Sequence, residues 1–214
     1  MKNYVIALTR TCGSGATSIG KGLSEKLDLS LYDKNLLRLA ADDSGINEAM
    51  FAQVDEHVKN SILYRVSKRV YNGELIPPES NDFKSSENLF NYQAKILREL
   101  VKKESFICIG RAGDYVLKDY PNLIRIFIYA PLMQRITHEA QRLNITEKEA
   151  EKRIIRMDQY RKEYYQYHTG NKWESIYNYD LCLNTGSLTY DQSIDYIVEY
   201  LLLKGFITRE NINE

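Results

Sequence analysis

The sequence predicts an α/β fold in which a parallel sheet is covered by helices on both faces, and three observations carry that prediction. Five short, apolar, β-rich runs recur along the 214 residues. Helix-period patterns separate each run from the next, as parallel neighbours require. The first run, "YVIALT" (4–9), passes into the glycine-rich stretch "TRTCGSGATSIGKG" (9–22), and helical spacing begins beyond it.

Taken in order, residues 4–9 read as a buried strand ended by the glycine loop. Ile19, Leu23 and Leu27 then recur at helical spacing with charges between them. "LSLY" (29–32) is a second short strand, and residues 34–72 read as helical. "GELIPPESNDFKSSEN" (73–88) reads as a loop, with Pro77 and Pro78 marking a break. An amphipathic helix follows, with Leu89, Ala94, Leu97 and Leu100 on or near one face. "SFICIG" (105–110), "LIRIFIYA" (123–130) and "DLCLN" (180–184) complete the strands. Roughly seventy helical residues therefore lie between strands two and three, long for a crossover. In "ITEKEA", Thr146 and Glu149 form a capping box, so a new helix starts there.

A chain of this length buries a full core and reads as one domain with inserted lobes. Lys+Arg 29 against Asp+Glu 29 leaves no net charge, which argues against a general nucleic-acid polymer or membrane-surface binder. Cys12, Cys108 and Cys182 are far apart and show no metal spacing; two lie in apolar runs and read as small core residues. His57, His138 and His168 have neither metal spacing nor a recognisable nucleophile partner. No segment resembles a signal peptide or reaches membrane-spanning length, so a reduced cytoplasmic setting is the expectation.

The glycine stretch can be laid on the phosphate-loop pattern G-x-x-x-x-G-K-[ST] in two registers. One starts at Gly15 and reaches Lys21, but Gly22 then stands where a hydroxyl belongs. The other starts at Arg10 and ends on Thr17, with Ala16 in place of the lysine. A phosphate loop leaves directly from a strand and opens a helix, because unpaired backbone N–H groups and the helix N-terminus make the anion site. The strand ends at Thr9, so the second register is the physical one and Lys21 is an ordinary helix residue. A dinucleotide fingerprint from Gly13 and Gly15, with Asp33 as its ribose acid, fails at the third glycine, where Ser18 stands.

"TRTCGSGATSIGKGLSEKL" followed by "LYDKNLL" resembles the cytidylate kinase-like family of P-loop proteins. The resemblance continues through "IGRAGDYVLKDYP", "LIRIFIYAPLMQRI", "RIIRMDQYRKEYYQYHTGNKW" and "YDLCLNTGSL". It implies a P-loop kinase with a five-stranded parallel core flanked by helices. The core would span about 1–34, 101–135 and 175–214, with a helical acceptor-binding lobe at about 35–100 and a lid at about 136–174. It also implies phosphoryl transfer from ATP with magnesium to a small phosphorylated acceptor, most naturally a nucleoside monophosphate such as CMP. The family pattern itself has arginine at the loop start and lacks the lysine.

On that reading Gly13, Ser14, Gly15, Ala16 and Thr17 cradle the donor phosphates; Thr17 coordinates magnesium and Ser18 stands beside it. Arg10 folds over the phosphates in place of the lysine, or else pairs with a carboxylate or faces water. Asp33 accepts the acceptor's proton or holds water on magnesium, and equally serves as a helix N-cap. True cytidylate kinases have an adjacent arginine and aspartate where this chain has Arg111, Ala112 and, later, Asp114. Arg111 and Asp114 are the corresponding acceptor-site candidates. Arg135, Arg142, Arg153, Arg156 and Arg161 follow strand four, and Arg153 and Arg161 are favoured as lid cations over a solvated charged face. Tyr160, Tyr164, Tyr165 and Tyr167 either stack on a base or pack the helix down, as Trp173 does. A catalytically weak nucleotide sensor is the alternative function, and a dinucleotide-binding oxidoreductase the third. A homo-oligomer is left open.

Overall fold

The computed structural model describes residues 3–33 and 86–213. The helical expectation for 34–72 and the loop expected at 73–85 lie outside the described residues. Five strands, β1 (Val5–Arg10), β2 (Ser30–Tyr32), β3 (Phe106–Ile109), β4 (Leu123–Tyr129) and β5 (Leu181–Asn184), form one sheet in the order β2-β3-β1-β4-β5. Every pairing is parallel. The described helices are α1 (Ala16–Leu27), α2 (Ser86–Leu100), α3 (Gly113–Val116), α4 (Leu132–Leu143), α5 (Glu147–Thr169) and α6 (Tyr190–Leu203), with short 3₁₀ turns at Ile176–Asn178 and Arg209–Asn211. None of the described helices is long and apolar enough to cross a membrane.

Strand periodicity divides the core into two layers. On β1, Val5 and Ala7 face one side while Ile6 and Leu8 face the other. Phe106 and Cys108 of β3 join the first layer, where Tyr92, Ala94, Ile96, Leu97 and Leu100 of α2 cover the sheet. Ile107 and Ile109 join Ile124, Ile126 and Ile128 in the second, beneath Ile19 and Leu23 of α1 and Ile197 and Leu201 of α6. This is why the strands read as continuous apolar runs: neither face is left to water.

One expectation changes. Residues 86–88, read as loop, are the first turn of α2. α2 itself packs on the sheet as part of the core layer. Apolar contact with β1 and β3 decides this, and it depends on residues distant in sequence.

The register of α1 is fixed by Leu23, which is fully buried, and by Lys21 two residues earlier, which is exposed. Leu23→Ala is expected to cost about 2–5 kcal/mol of unfolding free energy. Lys21→Ala should stay within about 0.5 kcal/mol of wild type. Urea denaturation of the two variants checks both values.

Candidate active site

The loops leaving β1, β2 and β3 reach the same carboxyl edge of the sheet, the edge at which open α/β sheets bind ligands. β1 ends at Arg10 and α1 starts at Ala16, so the glycine loop occupies the expected register. Gly15 caps α1 with φ 77° and leaves the first-turn N–H groups free of any side-chain cap. Gly13 has φ 81°, and a Cβ there would meet the Arg135 carbonyl oxygen at 2.9 Å. Both the dihedral and the approach of α4 exclude larger residues at Gly13.

The loop is pinned from several directions. Ser14 Oγ donates to the Thr11 carbonyl at 2.9 Å, and Thr185 Oγ1, after β5, donates to the Ser14 carbonyl at 3.0 Å. Cys12 N–H donates to Asp158 Oδ1 of α5 at 2.7 Å, and Arg135 Nη1 of α4 donates to the Cys12 carbonyl at 3.2 Å. Arg161 Nη1 donates to the Arg10 carbonyl at 3.2 Å. Beneath the loop, Cys12 packs with Ile136, Ala150 and Ile154. The Thr146–Glu149 capping box expected from sequence does start α5.

Two cavities open on this edge. The first lies over the loop, from Thr11 to Ser18, and is walled by His138, Glu139, Arg142 and Arg153. Thr17 and Ser18 are exposed in it at the first turn of α1. The second is lined by Gly110, Arg111 and Ala112 after β3, by Tyr160, Tyr164 and Tyr165 of α5, and by Trp173. Arg10, Met157 and Arg161 line both, so the cavities adjoin at two guanidinium groups.

Arg10 leaves the strand toward Gly110, where a Cβ would overlap its Nη1. Burial, then the neighbouring guanidiniums of Arg161 and Arg111, push its pKa down to about 9, while Asp33 opposes the shift. Three cations thus crowd one point, a state that an anion would relieve. Asp33 directly follows β2. Arg111 stands with its guanidinium carbon 5.6 Å from the Tyr164 ring centre. It belongs to a run of three left-handed residues, Gly110 (φ 75°), Arg111 (φ 59°) and Ala112 (φ 52°). Each non-glycine residue in that conformation costs about 1–2 kcal/mol. The turn is held because buried Ala112 packs among Phe127, Tyr165, Trp173 and Tyr179.

Asp114 departs from its expected place. It is buried behind the cavity wall, lines neither cavity, and accepts a 2.6 Å hydrogen bond from Tyr165 Oη. A half-turn of α3 after the left-handed run turns it inward, so it anchors α5 to the core. Of the arginines after β4, Arg153 and Arg161 reach the cavity over the loop, Arg156 is exposed outside both cavities, and Arg135 lies in the pinning contacts. Tyr167 faces water, Tyr165 is buried, and Tyr160 and Tyr164 face the second cavity. Trp173 is buried as expected.

Sequence reasoning missed Glu139, Asp158 and His138. Glu139 is buried beside the loop and accepts from Arg142 Nε at 2.9 Å and Nη2 at 2.8 Å, with Arg153 Nε at 3.5 Å. Its carboxyl stays below the usual range because these guanidiniums outweigh the opposing effect of burial. His138 Nε2 lies 2.6 Å from Tyr190 Oη, and the Tyr190 ring lies against Gly15. A periodicity test marks Glu139 and Asp158 as ordinary polar helix positions; only the approach of the loop gives them partners.

A model of the cytidylate kinase-like family matches residues 5–187. The fold is similar to the crystal structure of an uncharacterized protein from Eubacterium ventriosum, with a TM-score of 0.70 and 24% identity over 93% of this chain and 98% of that one. It is also similar to the YorR protein of Bacillus subtilis in complex with phosphorylated GDP, with a TM-score of 0.50 and 11% identity over 96% of this chain and 99% of that one. At these identities the likenesses speak for the fold alone. A stretch of 97 residues is 33% identical to the uronate isomerase of Corynebacterium glutamicum. It takes in 44% of this chain and only 18% of the length of that protein.

Burial raises the Asp114 carboxyl above its ordinary value, with the Tyr165 hydrogen bond opposing. An acid whose folded pKa is raised contributes stability at low pH and loses it as pH rises. Asp114→Asn is therefore expected to gain stability relative to wild type between about pH 4 and pH 8. Urea unfolding at both pH values checks the sign.

Proposed function

The chain belongs to the cytidylate kinase-like family, and on that premise we propose that it transfers a phosphoryl group from ATP, with magnesium, to a small phosphorylated acceptor, a nucleoside monophosphate such as CMP. One observation carries this reading: a cavity over a phosphate loop adjoins a cavity containing Arg111 and aromatic rings, and both are lined by Arg10 and Arg161. Donor and acceptor anions held on the two sides would meet between two guanidiniums. Family membership sets the dinucleotide-binding oxidoreductase aside.

The residues present suit a polyphosphate. Thr11 Oγ1, His138 Nδ1 and Arg153 Nε are buried polar atoms without a hydrogen-bond partner, on residues that line the cavity over the loop, and the last two have only longer contacts with Glu139 at 3.9 and 3.5 Å. The backbone from Gly13 to Ser18 supplies the cradle, and Thr17 is the hydroxyl for magnesium. Among the described residues no group of three His, Cys, Asp or Glu could hold a metal. When bound there, magnesium–ATP would supply the phosphoryl group, and the metal would offset the charge that develops during transfer. Arg10 offers a planar fork where the lysine would offer a point charge, and Arg161 and Arg153 add cations from α5. Asp33, directly after β2, would hold water on magnesium or take a proton from the acceptor where it carries one. Arg111 binds the acceptor phosphate, and Tyr160 and Tyr164 flank the planar part of the acceptor. Asp114 is left out of the binding set because it lies behind the wall.

Ala16, the first residue of α1, favours a second reading in which the protein senses ATP without efficient transfer. Substitutions separate the two. Arg10→Ala is expected to lower turnover about 10²–10³-fold with a smaller change in KM, because the charge is needed most during transfer. Arg10→Lys should recover part of the loss, as should Ala16→Lys in the Arg10→Ala background. A coupled assay with ATP, magnesium and nucleoside monophosphates measures this; wild-type turnover in Arg10→Ala would favour the sensor.

Thr17→Ala is expected to reduce magnesium-dependent turnover by at least about tenfold while leaving the melting temperature nearly unchanged, since alanine suits the first turn of a helix. Turnover against magnesium concentration, with a thermal melt beside it, checks the pair.

A further inference from the structure

Cys12 lies in the lysine-free loop, and its backbone N–H and C=O, which belong to the two peptide groups flanking its Cα, are both held by one ion pair. Its N–H donates to Asp158 Oδ1 at 2.7 Å, and its carbonyl accepts from Arg135 Nη1 at 3.2 Å. Arg135 Nη1 also donates to Asp158 Oδ2 at 2.6 Å, which closes a ring through the backbone of Cys12. Both side chains of the pair are 13% exposed. Arg161 extends the ring, with Nη1 at 3.4 Å from Asp158 Oδ1 and 3.2 Å from the Arg10 carbonyl. Asp158 and Arg161 lie one turn apart on α5, while Arg135 comes from α4. Neither Asp158 nor Arg135 lines either of the two cavities.

A phosphate cradle works only when its N–H groups converge, and a loop with left-handed positions at Gly13 and Gly15 has other shapes open to it. A carboxylate beside such a loop would repel phosphate if it were alone. Here two guanidiniums neutralise Asp158, so it can hold the Cys12 N–H at little electrostatic cost to an anion. The same carboxylate braces Arg161, which lines both cavities.

We propose that Asp158 and Arg135 are positioning residues: they fix the loop in its anion-binding shape and make that shape conditional on α4 and α5 being docked against it. The clasp thus ties completion of the cradle to delivery of Arg161 at the junction of the two cavities. The consequence for catalysis rests on the phosphotransferase reading above; the consequence for the loop does not.

The test uses the full chain as wild type, Asp158→Ala, Arg135→Met, the double variant, and Asp158→Asn. Hydrogen exchange is followed in peptides covering residues 9–16 and in the sheet peptides 105–110 and 123–129, and turnover is measured with ATP, magnesium and CMP. Loop exchange should rise about tenfold or more in each alanine or methionine variant while the sheet peptides are unchanged, and the double variant should be no worse than the worse single. Turnover should fall about tenfold with the KM for CMP changing less than about threefold. Asp158→Asn keeps an acceptor for the Cys12 N–H without the ion pair, and should fall between wild type and Asp158→Ala. It decides the matter if Asp158→Ala loosens the sheet. Unchanged loop exchange, or single effects that multiply in the double variant, would overturn the clasp. A wild type that neither binds ATP nor turns over, yet shows the loop effect, would overturn the phosphotransferase reading and leave the clasp standing.

Discussion

A turn that leaves backbone N–H groups unpaired at the end of a central strand is the constraint on which the rest of this structure depends. β1 lies in the middle of the sheet, between β3 and β4, so the loop after it emerges where neighbouring loops can surround it. Those N–H groups need an acceptor or water. The protein supplies acceptors at the edges of the loop, through Asp158 at Cys12 and Thr11 at Ser14. The first turn of α1 has no side-chain cap and opens into the cavity.

Charge follows from the same constraint. Arg10, Arg111 and Arg161 crowd together, and among the described residues Asp33 is the carboxylate that offsets the shift at Arg10. Beside them, Glu139 engages Arg142 and Arg153, and Asp158 engages Arg135 and Arg161. Some guanidiniums are thus spent on holding the architecture and others remain for a ligand. Arginine suits both uses, because its planar fork can bond a carboxylate along one edge and present N–H groups along another. A lysine at position 16 would provide a single point charge from inside the loop. The arrangement here brings charge from the strand end and from α5, so the electrostatics of the loop depend on a helix more than a hundred residues away in sequence.

Strain is spent in the same region. Gly110, Arg111 and Ala112 form a left-handed turn that only packing can hold, and the packing comes from aromatic residues of β4, α5 and the segment before β5. The Asp114–Tyr165 hydrogen bond ties the same helix to the same turn. α5 therefore touches the glycine loop at one point and the left-handed turn after β3 at another, which makes it the element through which the two cavities are kept in register.

The sequence alone determined the strands, the loop register and the start of α5, because each rests on local physics: apolar runs long enough for a buried strand, a glycine loop directly after one, and a capping box from Thr146 to Glu149. It also singled out Arg10, Thr17, Arg111, Arg153 and Arg161, which carry donors or ligating atoms in recognisable places and do line the two cavities. Only the tertiary structure decided that α2 covers the sheet, that Asp114 turns into the core, and that Glu139 and Asp158 belong beside the loop. A polar residue on a long helix looks the same in sequence whether it meets water or a loop peptide. The difference arises when distant segments meet, because desolvation and new partners give the carboxylate its role.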